Sequence, residues 1–237
     1  MKFKNQMIKF KDKVLDLIFP NDIKCIFCDR DIPKGDYCQH CSESIFNLGT
    51  RCEKCDTPIK DGNVICDHCK REKRAFEKAV CPLRYDGDVR RAILKLKDDS
   101  AKYLAKPFAK LMFERLEKDN IEFDIIVPVP SHPKTIKRRG YNPALLLAKE
   151  LALLSGKPVE DVLVKTVLTK NQKLLDYQSR QTNLENSLTI SDPKTIKHKT
   201  VLIIDDIITT CATIEACASL MHKAKRVYAC ALARRAI

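Results

Sequence analysis

Four CxxC knuckles, CIFC at 25–28, CQHC at 38–41, CEKC at 52–55 and CDHC at 66–69, are separated by nine, ten and ten residues. A CxxC turn brings two thiolates onto one ion at about 2.3 Å, and nine or ten residues suffice for a short hairpin returning to the same ion. Eight sulfurs make two tetrahedral four-cysteine sites, the pattern of structural zinc. Sequential pairing groups Cys25, Cys28, Cys38 and Cys41 at one site and Cys52, Cys55, Cys66 and Cys69 at the other; a cross-braced arrangement uses the same residues. His40 and His68 lie inside knuckles that already supply four sulfurs, so they are expected to face solvent. With every position filled by protein, no zinc ligand site is open to water or substrate, and the ions are structural. The stretch has little apolar material, and metal binding at about 10–16 kcal/mol per site would supply its folding energy.

The chain holds twelve cysteines, and eight of them fall between residues 25 and 69. That shift in composition predicts three parts: an amphipathic helix over 1–24, a double zinc ribbon over 25–75 and a second domain over 76–237. In the first part Phe3, Met7, Phe10, Val14 and Ile18 form one apolar stripe ending at Pro20. It is read as a helix packed on the body of the protein, or else one facing a membrane surface or a partner. Charges interrupt it too often for a signal peptide, and no segment is apolar enough to span a membrane. A cytoplasmic protein is expected, where clustered thiols hold metal rather than form disulfides. The six glycines are too dispersed for a Walker A loop, a GxGxxG turn or a GxSxG elbow.

From residue 76 onward, short apolar runs alternate with amphipathic stretches: AVCPLRY (79–85), VRRAILKLK (89–97), FDIIVPVP (123–130), PALLLAKELALL (143–154), TVLIIDD (200–206), TIEACASLMHKA (213–224) and RVYACALA (226–233). Uninterrupted apolar strands between helices predict an α/β domain with one parallel sheet flanked by helices. Ligands in such sheets bind beyond the carboxyl ends of the strands. Two strand ends carry chemistry. VLIIDDIITTCAT (201–213) delivers Asp205 and Asp206 into a loop of Thr209, Thr210 and Thr213 before a helix. Backbone N–H groups at a helix N-terminus with three hydroxyls suit a phosphate, and adjacent carboxylates suit a sugar diol and a magnesium ion. Together they point to a phosphorylated ribose.

This motif resembles the phosphoribosyl pyrophosphate (PRPP) signature of type I phosphoribosyltransferases, with an apolar strand, two acids and a TTGxT loop. VPVPSHPKTIKRRGYNPALLLAKELA (127–152) resembles the VPVP…RGFNQ…LA segment of the competence-associated ComF family, and QKLLDYQSRQTNLENSL (172–188) matches its Q…R..N loop at Gln172, Arg180 and Asn183. In that family a zinc module precedes a phosphoribosyltransferase-like domain. The resemblance implies that Asp205 and Asp206 hold the ribose hydroxyls and that Thr209, Thr210, Cys211, Ala212 and Thr213 hold the 5-phosphate. It implies that Pro130 and Ser131, with Lys134, Arg138, Arg139 and Asn142 near, face a magnesium-bound pyrophosphate, that Arg180 lies on a hood over the site, and that Lys97 contacts a phosphate. One departure is that Cys211 stands where the family has glycine. If the position needs positive φ, a side chain costs about 1–2 kcal/mol; if glycine serves close approach of phosphate, the thiol obstructs it. A third reading makes Cys211 a redox-sensitive thiol at a helix N-terminus. Cys81, Cys217 and Cys230 read as core packing.

The net charge is +13, of which residues 1–75 carry +3 and residues 76–237 carry +10. Eight thiolates on two Zn²⁺ add −4, leaving the ribbon part near −1, so an anionic partner is expected at the second domain and the ribbons read as a docking module. The family's association with incoming DNA implies handling of single-stranded DNA in DNA uptake, with a DNA-uptake helicase as a partner and Tyr103 and Tyr141 as candidate base-stacking residues. The alternatives are a genuine magnesium-dependent phosphoribosyltransferase and a PRPP-sensing regulator.

Overall fold

A computed structural model of the chain describes residues 24–45, 49–60, 62–98, 101–165 and 188–235. The expected helix over 1–24 and the loop carrying Gln172, Arg180 and Asn183 lie outside these residues. Of the described residues, those up to Ser44 belong to one compact unit and those from Ile45 onward to another.

Both ribbons start from the same local device. In each first knuckle an aspartate directly after the second cysteine takes the left-handed conformation, Asp29 at φ 59° and Asp56 at φ 58°. Its N–H closes the turn onto Cys25 O at 3.0 Å and Cys52 O at 2.8 Å respectively. Aspartate tolerates this region better than most residues, which is why CxxCD forms the knuckle without glycine. Short antiparallel bridges, Lys24 with Asp31 and Arg51 with Pro58, continue each turn. The second knuckles lie in or beside helices α1 (Gln39–Ile45) and α2 (Asp67–Arg71).

The sheet is built from β1 (Lys78–Val80), β2 (Leu83–Arg84), β3 (Ile125–Pro128), β6 (Thr200–Ile208) and β7 (Arg226–Arg234), in the order β1, β7, β6, β3 with β2 also on β7. Every pairing in it is parallel, as the apolar runs predicted. A separate antiparallel hairpin joins β4 (Leu163–Lys165) and β5 (Leu188–Ile190). Helix α3 (Gly87–Lys97) and a 3₁₀ turn (Lys102–Leu104) precede α4 (Ala105–Lys118). Helices α5 (Pro133–Arg139) and α6 (Pro143–Ser155) follow β3, and α7 (Ala212–Ser219) joins β6 to β7. Proline at the first turn and left-handed Gly140 and Gly156 at the ends fix the limits of α5 and α6.

One sheet face packs on α4 and α6. On the other, alternate residues Ile125, Val127, Val201, Ile203, Ala229 and Ala231 join one core with Ile214, Cys217 and Met221 of the α7 region, and with Cys52, Cys55 and Phe76. Thus the second ribbon covers the sheet beside α7. The join is specific. Ala79 N donates to Lys54 O at 2.9 Å, and the buried Asp56 carboxylate accepts from Cys81 N at 2.8 Å and from Arg51 and Arg115, both at 2.9 Å. Asp29, its counterpart in the first ribbon, is exposed. Among the described residues no helix is long and apolar enough to cross a membrane.

Candidate functional site

The eight sulfurs gather as the sequential pairing requires. Cys25, Cys28, Cys38 and Cys41 form one cluster and Cys52, Cys55, Cys66 and Cys69 the other, all sulfurs of a cluster within 4.8 Å of one another. Cys28 and Cys38 are 3.7 Å apart, as are Cys55 and Cys66. A tetrahedron with 2.3 Å metal–sulfur bonds has edges of about 3.8 Å, so both cages fit one zinc ion each. Each already holds one thiol displaced toward thiolate. The Cys41 N–H lowers Cys38 to about 7. Burial opposes the same change at Cys52, but the N–H groups of Cys66, Cys55 and Lys54 prevail and bring it to about 7. The two histidines stay outside the cages, as expected: His40 is exposed and His68 lies 3.4 Å from Glu72.

Parallel pairing brings the other candidate residues to one end of the sheet. Pro128 pairs with Ile204, and Val129 N donates to Ile204 O at 2.8 Å, so the loop after β3 lies beside the end of β6. Strand β6 runs further than the sequence reading had it. Asp205 and Asp206 are inside it, because Ile207 and Ile208 continue the pairing with Ala233 and Arg234. Strand alternation sends the two acids to opposite faces. Asp206 Oδ1 is 2.7 Å from Lys97 Nζ at the end of α3. Asp205, on the face of Cys217, accepts from Asp206 N at 2.8 Å. Burial, then the neighbouring Asp206 charge, raises it to about 8.

Beyond Ile208, Thr209 is exposed and Thr210 and Thr213 are half-buried. Arg234, 1% exposed, donates to Thr209 O and ties the loop to β7. Cys211 is the N-cap of α7 at φ 68°, so the position does use the conformation that glycine accommodates. Its side chain does not open onto the loop surface: it is 3% exposed and belongs to the same buried cluster as Cys52 and Cys55. The packing of a zinc-cluster cysteine, Cys55, in the same core as Cys211 is a contact that spacing gave no means of finding.

After β3, Pro130 and Ser131 of the loop and Arg139 at the end of α5 are half-buried, and Lys134 and Arg138 of α5 are exposed. Asn142, grouped by sequence with the pyrophosphate contacts, is 8% exposed and fully engaged within the protein. It donates to Val129 O at 2.9 Å, accepts from Ser131 Oγ at 2.9 Å and caps α6 through Ala144 N at 3.1 Å. It shapes the loop. Tyr141, a candidate base-stacking residue from the sequence, is engaged within the protein: its hydroxyl donates to Leu96 O next to Lys97 while Lys102 sits 4.8 Å over its ring. A cleft of about 520 Å³ lies alongside, lined by Pro130, Ser131, Tyr141, Asn142, Lys149 and Lys165. Cys81, Cys217 and Cys230 are fully buried core residues, as expected.

Comparison with known proteins follows the same division. Residues 14–70 match a double zinc ribbon domain and residues 100–237 a phosphoribosyl transferase domain. Competence protein F of Haemophilus influenzae is 25% identical over 211 residues, 85% of this chain and 92% of that protein. Competence protein ComFC of Streptococcus pneumoniae is 27% identical over 215 residues, 88% of this chain and 86% of that one. A solved structure of the allosteric regulatory enzyme of purine biosynthesis aligns at 19% identity and a TM-score of 0.39, over 54% of this chain and only 25% of that chain. With a phosphoribosyl transferase domain over more than half its length and a double zinc ribbon before it, the chain belongs to the phosphoribosyl transferase family and, within it, to the competence-associated ComF proteins.

Proposed function

We propose that this chain binds PRPP with magnesium across the loops that follow β3 and β6, and that it acts on single-stranded DNA during DNA uptake in the cytoplasm. The observation that carries the first part is the acid pair of β6, with Lys97 2.7 Å from Asp206, set just before a loop that enters α7 through a left-handed residue. Asp205 and Asp206 would accept hydrogen bonds from the ribose hydroxyls. The N–H groups of Ala212 and Thr213 at the start of α7, with the hydroxyls of Thr209, Thr210 and Thr213, would hold the 5-phosphate. Pro130, Ser131 and Arg139 would face the pyrophosphate, Lys97 would add a cation, and Arg180 would add a second positive charge. Magnesium, when bound, supplies charge neutralisation to the pyrophosphate.

Calorimetry with PRPP and MgCl₂ tests this reading. The unmodified protein is expected to release heat of binding, and the Asp205→Asn, Asp206→Asn double variant to lose at least about 1.4 kcal/mol, a tenfold weakening. Equal binding by both proteins would refute the assignment. The DNA role is supported by the names of the two relatives, by the +10 charge of residues 76–237 and by Tyr103, 69% exposed between Lys102 and Lys106.

A second reading, a working phosphoribosyltransferase, is favoured by one observation: the Cys211 thiol turns into the core and leaves the loop its left-handed entry. Departure of pyrophosphate leaves an oxocarbenium-like carbon, so such an enzyme needs charge stabilisation and exclusion of water more than a strong base. Pyrophosphate release dependent on an added nucleophile would separate it from a binding protein.

A further inference from the structure

Two arginines are buried among the described residues, and their charges are matched differently. Arg74, 8% exposed, has Glu215 Oε2 at 3.8 Å from its Nη1. Arg234, 1% exposed, forms no ion pair among the described residues, and its Nε is buried there without a hydrogen-bond partner. Arginine does not give up its proton in a protein, so this is a fixed positive charge inside the fold. A lone buried charge is costly until an opposite charge comes near it. The backbone holds the residue in place from both sides. Arg234 pairs with Ile208 of β6 and with Arg84 of β2, and its O accepts from Tyr85 N at 2.8 Å.

The guanidinium does reach the first carbonyl of the loop 209–213, because Nη1 donates to Thr209 O. The peptide that follows is trans. In a planar trans peptide the N–H points opposite to the C=O, so the Thr210 N–H faces away from Arg234. The dipole of this peptide thus lies with its negative end on the buried guanidinium and its positive end on the far side. Next in the chain come Cys211 and the first turn of α7, whose opening N–H groups carry the positive end of the helix dipole. Lys97 nearby is already 2.7 Å from Asp206, whereas Arg234 keeps its charge for whatever the loop holds.

We propose that Arg234 is the counter-charge of the loop 209–213 and a positioning residue for its anion: by holding the Thr209 carbonyl it aims the Thr210 N–H at a dianionic phosphate monoester. Dipoles fixed in advance toward a charge stabilise it without having to reorganise, and a phosphate monoester, with nearly two negative charges near neutral pH, gains most from them. The proposal rests on the reading of this loop as the 5-phosphate site and adds the residue that supplies the charge.

Calorimetry on the full-length protein with two probes tests it: ribose 5-phosphate, whose phosphate belongs to this loop, and magnesium pyrophosphate, which belongs to the loop after β3. Arg234→Met is expected to bind ribose 5-phosphate about tenfold more weakly or worse, and magnesium pyrophosphate within about twofold of the unmodified protein. Arg234→Lys keeps the charge and is expected to recover most of the loss. Arg234→Gln keeps a donor for Thr209 O without the charge; it stands in if the methionine variant does not fold, with the same selective loss expected. Unchanged ribose 5-phosphate binding in the neutral variant, equal loss of both probes, or a lysine variant as weak as the neutral one would overturn the proposal and leave the PRPP reading standing. Failure of the unmodified protein to bind either PRPP or ribose 5-phosphate would overturn that reading and this proposal with it, a result visible before any variant is made.

Discussion

Asp205 is held in a state that its side chain does not adopt in water. Burial and the adjacent Asp206 raise it to about 8, so in the folded protein it keeps its proton across a range where the unfolded chain has lost it. The fold therefore binds more protons than the unfolded chain between about pH 4 and about pH 8, and the contribution of this group to stability falls as pH rises through that window. Asp205→Asn removes the effect. Thermal melts of the two proteins are expected to diverge in favour of the variant between about pH 5 and about pH 8, by at least about 3 °C, since about 1 kcal/mol moves a domain of this size by 2–4 °C. A constant difference across that range would show Asp205 to be ionised throughout. The acid pair was legible in the sequence, because two carboxylates ending an apolar strand before a threonine loop form a local pattern. The long-range neighbours were not: Lys97 reaches Asp206 only through the packing of α3, and Cys55 shares a core with Cys211 only because a ribbon folds onto the sheet.

At the scale of elements, pattern and structure agree best where one local rule decides. Proline and glycine set the limits of α6, and continuous apolar runs gave the parallel strands. They diverge at β6, where pairing with Ala233 and Arg234 extends the strand past the acids, and at the β4–β5 hairpin, whose three-residue strands are too short to show a period. The junction of the β3 loop with α6 hangs on Asn142, which joins loop carbonyl, loop hydroxyl and helix N-terminus in one amide. Asn142→Ala is expected to cost about 1–2 kcal/mol in urea unfolding, the range for loss of a helix N-cap. A change below about 0.3 kcal/mol would mean that the cap contributes nothing. PRPP binding is expected to weaken with it, because Ser131 loses its anchor.

At the scale of the molecule, composition separated a thiol-rich part from a basic part, but it could not say which ribbon belongs with which core. Eight cysteines at even spacing read as one module, whereas the compact unit from Ile45 onward contains the second cage together with the sheet. The buried link from Asp56 to Arg51, Arg115 and Cys81 N makes the difference, and the equivalent Asp29 is exposed. The basic charge predicts binding of single-stranded DNA that weakens at least about tenfold between about 50 and about 200 mM salt, through release of counterions. No binding even at the lower salt would remove the DNA role and leave the PRPP site untouched. The most direct measurement of that site is hydrogen exchange with and without PRPP and Mg²⁺. Protection is expected in peptides covering 204–214 and 129–139, the two loops that the parallel pairing of β3 and β6 sets side by side. Saturating ligand that leaves exchange in both loops unchanged would contradict the account.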